Sequence, residues 1–304
     1  MTISIITASY NAAAHIESAL VSVLSQNYSD LEYIVIDGAS KDSTFQIAEK
    51  HGEQITYFIS EPDEGQYHAI QKGFDRSNGE IMAWLNADDV YMPWTFSVVV
   101  EIFEKYPEVQ WITGLPGFLN EKGQYTGVHA SAAAYPQHYI RNGWYQGHLA
   151  GYLQQESMFW RRSLWEKISG LDLSLDLAAD FKLWTEFAQH AELVQVATPL
   201  AAFRKRPGMQ KSSIDSDGYK REVARVCESL PRPPALWNRL ASTGIVARSL
   251  CRLMQIRQTK VIAYSECSQT WELLSLRRPV SRLGLGQLML EYNILKQGNQ
   301  RNPR

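Results

Sequence analysis

Two adjacent carboxylates, Asp88 and Asp89, follow a run that is apolar over residues 81–85. A short apolar run bounded by polar residues reads as a strand covered on both faces, which puts the pair just beyond its C-terminal end. Charges beside a buried strand are costly unless something balances them. In open α/β sheets that edge is where ligands bind. A hard divalent cation carrying a nucleoside diphosphate is the partner that suits carboxylate oxygens. A helix cap or a solvated turn is the alternative these two residues leave open. Asp37 ends a second apolar run, Asp63 follows a third, and Asp180 stands at the start of an aromatic-rich amphipathic segment.

The elements that must position these groups form a repeating pattern. Residues 2–9 are a β-rich apolar run ended by Tyr10 and Asn11, and Asn11 is placed to cap a helix carrying Ile16, Ala19, Leu20, Val23 and Leu24 at helical spacing. Residues 31–37, 55–60 and 81–85 read as further strands, each followed by a helical segment, and 109–114 adds another strand. Repetition at roughly thirty-residue spacing predicts right-handed βαβ units and a mostly parallel sheet flanked by helices. Asp37, Asp63 and Asp88 then gather along one edge of that sheet. After Gly114 the alternation breaks. Residues 120–123 mark a hairpin turn, 157–162 a strand, 180–190 a helix with Phe181, Trp184 and Phe187 on one face, 193–197 and 200–203 two strands, and 204–213 a basic, flexible stretch. The remainder reads as mainly helical. His68, His129, His138 and His148 read as loop or surface residues, and Trp94 and Trp184 as core.

The composition is that of an ordinary globular chain, 45% hydrophobic and 20% charged over 304 residues. No apolar run reaches the ~18 residues of a membrane-spanning helix, and residues 1–6 lack the basic region and cleavage site of a signal peptide. Cys227, Cys251 and Cys267 are widely spaced without a metal-binding pattern, which suits a reduced, cytoplasmic setting. The net charge of −2 hides an asymmetry: residues 231–304 hold 12 Lys/Arg against 3 Asp/Glu, a balance of +9, and the rest carries −11. A linker rich in proline at 231–234 divides the two. The basic tail, part of an expected helical extension over 214–304, would cover the preceding domain, form a homodimer, or lie on an anionic membrane surface. Nothing points to nucleic acid.

Taken together, residues 5–11 (IITASYN), 34–44 (IVIDGASKDST), 60–65 (SEPDEG), 79–89 (GEIMAWLNADD), 159–162 (FWRR) and 179–184 (ADFKLW) resemble the family 2 glycosyltransferases, enzymes of the GT-A nucleotide-diphospho-sugar transferase fold. The likeness covers roughly residues 1–213, divided into a nucleotide-binding half (1–115) and an acceptor half (116–213). It implies an inverting transfer of a sugar from a nucleoside-diphosphate donor, commonly a UDP-sugar, to a carbohydrate or lipid-linked acceptor hydroxyl, as in the assembly of polysaccharide or glycolipid. By this resemblance Thr7, Ser9, Tyr10, Asn11 and Asp37 hold the nucleoside, Asp63 lies near the base, and Asn86-Ala87-Asp88 occupies the Asp-any-Asp position. Asp88 is then the main ligand of Mg²⁺ or Mn²⁺, with Asp89 supporting it. Asp180 matches the base, and Gln155, Glu156, Arg161, Arg162, Arg204 and Arg206 shape the acceptor side or bind phosphate.

Two residues depart from the family pattern. Asn86 stands where relatives carry the first Asp, and Arg206 stands where many carry a histidine ligand, so a guanidinium is placed to meet the diphosphate directly. Two rival readings remain at this stage. A nucleotidyltransferase shares the layered sheet but usually shows a Gly-rich, basic phosphate loop after the first strand, which residues 7–11 lack. A non-catalytic nucleotide-sugar-binding scaffold is the other.

Overall fold

The computed structural model describes residues 1–128, 135, 137–145, 152–206, 215–230 and 257–278. The first half follows the alternation anticipated from its apolar runs: β1 (Ile3–Ser9), α1 (Ile16–Leu24), β2 (Leu31–Asp37), α2 (Thr44–Glu49), β3 (Tyr57–Ser60), α3 (Gln66–Arg76), β4 (Ile81–Trp84), the short β5 (Val90–Tyr91), α4 (Thr95–Lys105) and β6 (Trp111–Thr113). Next come the β7–β8 hairpin (Gly117–Leu119, Tyr125–Val128), α5 (Gln137–Arg141), β9 (Met158–Arg161), α6 (Arg162–Trp165), α7 (Ala179–His190), β10 (Leu193–Val196) and β11 (Ala201–Arg204). A helix α8 (Ser216–Glu228) and the hairpin β12 (Arg257–Ser265) and β13 (Thr270–Arg278) complete the described chain.

Among the described residues the main sheet has nine strands in the order β13-β12-β10-β6-β9-β4-β1-β2-β3. It is mostly parallel, with β9 running antiparallel between β4 and β6 and β13 antiparallel at one edge. Strand side chains alternate between two cores. Ile3 and Ile5 of β1 face one that includes α1 and α4, and Ile6 faces another that includes α3 and α7. This period of two with both faces apolar is why β1, β2 and β4 read as continuous hydrophobic runs. A smaller sheet, β5-β11-β7-β8, stands beside the C-terminal end of β4.

Close approach of α3 to β1 depends on Gly73, where a Cβ would fall 2.4 Å from Ile6 Cγ2. Gly73→Ala therefore overpacks the second core and is expected to cost about 1–3 kcal/mol in urea unfolding. An unchanged midpoint would show that Ile6 rotates away freely.

The expected helical extension is corrected over residues 257–278. These form two strands, and β12 pairs parallel with β10, Gln195 opposite Val261 and Val196 opposite Ile262. Trp271 of β13 joins the first core, and Val223 and Val226 of α8 join the second. The described residues beyond 213 are thus built into the same sheet and cores as those before it. Residues 231–256 and 279–304, which carry most of the basic tail, lie outside the described residues, as do His129, His148 and 207–213. Among the described residues no helix is long and apolar enough to cross a membrane.

Candidate active site

The C-terminal ends of β1, β2, β3 and β4 define the site. In β1 and β2 the register sets Ser9 opposite Asp37, and Asp37 in turn faces Ser60 of β3. Asp37 is fully buried, and its two oxygens accept from Ser9 Oγ (3.1 Å), Ser40 N (2.9 Å), Ser40 Oγ (2.5 Å) and Ser60 Oγ (2.6 Å). Four bonds use the acceptor capacity of a carboxylate, so Asp37 organises the loop instead of offering an oxygen outward. Thr7 is likewise buried, its hydroxyl 3.0 Å from that of Tyr33, and it does not reach the edge.

Tyr10 is 62% exposed at the end of β1. Asn11 does not cap α1, which begins five residues later at Ile16. It adopts a left-handed backbone (φ 48°), donates its N–H to Ser40 Oγ (2.9 Å) and accepts the Lys41 N–H on Oδ1 (2.8 Å). The loops after β1 and β2 are therefore stitched into one rim. Asp63 approaches the same rim: a Cβ on Gly38 would lie 2.8 Å from its Oδ2.

Beyond β4 the chain turns through Asn86, Ala87, Asp88 and Asp89. Ala87 packs down into the core. Asp89 is fully buried, accepting the Arg204 N–H on Oδ1 (2.9 Å) and the Asn86 amide on Oδ2 (3.1 Å). Burial, with the Asp88 and Glu156 charges next in weight, pushes Asp89 well above the ordinary carboxylate range. Arg204 is not part of a flexible stretch. It ends β11, is 3% exposed, and donates Nε to the Asp88 carbonyl (2.8 Å). Arg206 forms an ion pair with the Asp88 carboxylate.

The first turn of α3, missed in the sequence, couples the two halves of the site. Gln66 Nε2 donates to Asn86 Oδ1 (2.7 Å), and the neighbouring Tyr67 hydroxyl donates to Asp180 Oδ1 (3.0 Å). The helix starts at Gly65 with φ 130°, a backbone that glycine adopts readily. Asp180, in the first turn of α7, also accepts the Phe181 N–H (2.8 Å) on Oδ1. Burial raises its pKa against the lowering effect of these two bonds. The loop ahead of α7 is held by Glu222 of α8, which accepts the N–H groups of Asp176 (3.0 Å), Leu177 (2.9 Å) and Ala178 (2.9 Å).

Gln155 and Glu156 lie in the short helical turn that leads into β9. Gln155 Nε2 donates to the Trp84 carbonyl at 2.6 Å. Glu156 is 2% exposed, and its Oε1 has no hydrogen-bond partner among the described residues. Burial, with Asp88 and Asp180 adding repulsion, pushes its pKa to about 8. Trp84, Trp160 and Trp184 pack beneath as core, Trp84 on Trp184 with ring centroids 5.7 Å apart.

Arg161 and Arg162 do not join the site. Because β9 is antiparallel to β4, its end lies at the opposite edge, Arg161 facing Ile81 at the start of β4. There Arg161 donates to the carbonyls of Val109 (2.8 Å) and Phe103 (2.6 Å), and Arg162 donates to the Gly79 carbonyl (2.8 Å).

The residues present do not fit a resident Mg²⁺ or Mn²⁺. A hard cation needs several oxygen ligands. Here Asp88 is paired with Arg206, Asn86 Oδ1 is turned to Gln66, and Asp89 is buried with both oxygens accepting. Among the described residues no group of three or more His, Cys, Asp or Glu gathers as a metal site.

Residues 4–167 match the family described as glycosyl transferase family 2. An uncharacterized glycosyltransferase of Nostoc sp. is 36% identical over 107 residues, 34% of this chain and 33% of that protein. One from Mycobacterium tuberculosis is 28% identical over 206 residues, 66% of this chain and 74% of that protein. The chain thus spans about a third of the length of the Nostoc relative. Among solved structures, S. aureus TarS 1-349 in complex with UDP-GlcNAc aligns with a TM-score of 0.59 at 16% identity, over 83% of this chain and 72% of that one. The mannosyltransferase PcManGT from Pyrobaculum calidifontis, in complex with GDP-Man and Mn²⁺, aligns with a TM-score of 0.54 at 18% identity, over 76% and 66%. At such identities the likeness is one of fold.

Proposed function

The chain belongs to glycosyl transferase family 2, and from that premise we propose that it is an inverting transferase moving a sugar from a nucleoside-diphosphate donor, a UDP-sugar first among candidates, to a carbohydrate hydroxyl. Ser9, Tyr10, Asn11 and Asp63 bound the nucleoside, on a rim that Asp37 holds in shape. The diphosphate reaches the edge at Asp88 and Arg206. The acceptor approaches from the side of the α3 N-terminus, where the Tyr67 hydroxyl meets Asp180.

One observation carries this reading: the Asp180 carboxylate is held in place by the Tyr67 hydroxyl and the Phe181 N–H, and burial raises its pKa. Both of its hydrogen bonds among the described residues fall on Oδ1, which leaves Oδ2 for an incoming proton. A base whose pKa is raised toward the working pH transfers protons more effectively. In the step, the acceptor hydroxyl gives its proton to Asp180 and its oxygen bonds to the anomeric carbon. The bond from that carbon to the phosphate oxygen breaks on the opposite face, and its electron pair departs with the nucleoside diphosphate. The sugar passes through an oxocarbenium-like state.

A panel of UDP-, GDP- and dTDP-sugars tests the donor site by thermal shift. One nucleotide class should stabilise the protein, by about 2.7 kcal/mol at a hundredfold excess over Kd. Binding without transfer or slow donor hydrolysis would mark a scaffold. Absence of stabilisation by every donor would remove the transferase reading.

A further inference from the structure

We infer that, on this reading of the site, the leaving diphosphate is neutralised by Arg206 of the chain itself, backed by Arg204, and that donor binding proceeds without a divalent cation. The geometry supplies the reasons. Asp88 is the one carboxylate of the Asn86–Asp89 turn that is neither buried nor committed to the backbone, and its partner is the Arg206 guanidinium. Its peptide carbonyl, the other oxygen a cation could use there, already accepts Arg204 Nε at 2.8 Å. Asp89 is buried, and both of its oxygens already accept, Oδ1 from the Arg204 N–H and Oδ2 from the Asn86 amide.

Arg206 is also incompletely satisfied. Its Nε is buried and has no hydrogen-bond partner among the described residues, although one Nη holds Asp88. A buried N–H without an acceptor is costly, and a guanidinium presents its donors as a planar fork that matches phosphate oxygens. A diphosphate arriving at this edge supplies the missing acceptor. A divalent cation in the same place would sit beside two guanidinium groups and be repelled by both. Asp88 then serves as a positioning residue that aims Arg206, and the fixed charge does the work that a metal does elsewhere.

The test is calorimetric titration of the full chain, stripped of metals, with UDP, GDP and dTDP, in EDTA and again in Mn²⁺. The nucleotide that binds should do so in EDTA with a Kd within about threefold of its value in Mn²⁺. Arg206→Gln should weaken that binding by roughly 10- to 100-fold, as expected for loss of a charge-assisted contact, and Arg206→Lys should recover part of it. Unchanged melting temperatures of the free variants would exclude misfolding as the cause. Binding by the wild type that vanishes in EDTA and returns with Mn²⁺ would overturn the inference and leave the transferase reading intact. Affinity in EDTA unaffected by Arg206→Gln would overturn it as well. Failure of every nucleotide in both conditions would overturn this inference and the transferase reading together.

Discussion

Asp180→Asn lowers the turnover number by about 10²- to 10⁴-fold, the usual worth of a general base, with nucleoside-diphosphate affinity unchanged. The substitution keeps shape and local bonding: an amide oxygen still accepts the Tyr67 hydroxyl and the Phe181 N–H, so α7 keeps its first turn. What is lost is a group able to take a proton. In the wild type, kcat/KM should rise with pH as Asp180 ionises and level off above its raised pKa, because only the carboxylate is a base. The Asn variant should lose that limb. Steady-state kinetics across pH, paired with nucleotide titration, reads both quantities. A variant retaining more than about a tenth of the wild-type turnover would place the base elsewhere, and Glu156 would be the next carboxyl to examine.

The second large effect concerns stability. Glu156→Gln should abolish a pH-dependent loss that the wild type carries between pH 4.5, the ordinary value for this side chain, and about 8. The folded protein holds a proton on Glu156 over that interval and the unfolded chain has released it. Protons bound in the folded state alone make stability fall as pH rises, with no further fall above the folded-state pKa. A shift of this size corresponds to roughly 4 kcal/mol at pH 8. Urea unfolding of both proteins at pH 5 and pH 8 measures it as the difference of differences, which cancels the other titrating groups. Equal pH dependence in the two would show that Glu156 ionises normally and that water reaches it.

Much of the fold was readable because both faces of the parallel strands are buried. The runs 31–37 and 81–85 could be little else, and the gathering of Asp37, Asp63 and Asp88 at one edge followed from the parallel order of βαβ units. Direction of travel was less visible. Gln155 and Arg161 lie six residues apart, and only the antiparallel course of β9 sends the first to the site and the second to the far edge. The coupling of Asn86 to Asp180 through Gln66 and Tyr67 also left no pattern in the chain, since it joins partners 20 and 113 residues away. Glu222 holds the base loop from 46 residues downstream. β13, TWELLSLRR, was read as helix because a short stretch rich in Leu and Arg satisfies either period.

Placement of β12 next to β10 has a consequence for biosynthesis. Sixty residues separate Val196 from Arg257, the start of the strand that covers β10. At ribosomal rates of about 5–20 residues per second, the flank of β10 waits some 3–12 s for its neighbour. During that interval the nascent chain displays a row of unpaired backbone groups, a template for pairing with other chains. Yield in the cell is therefore governed by how fast the last hairpin is delivered, and by the chaperones that shield the gap, as well as by the stability of the finished sheet.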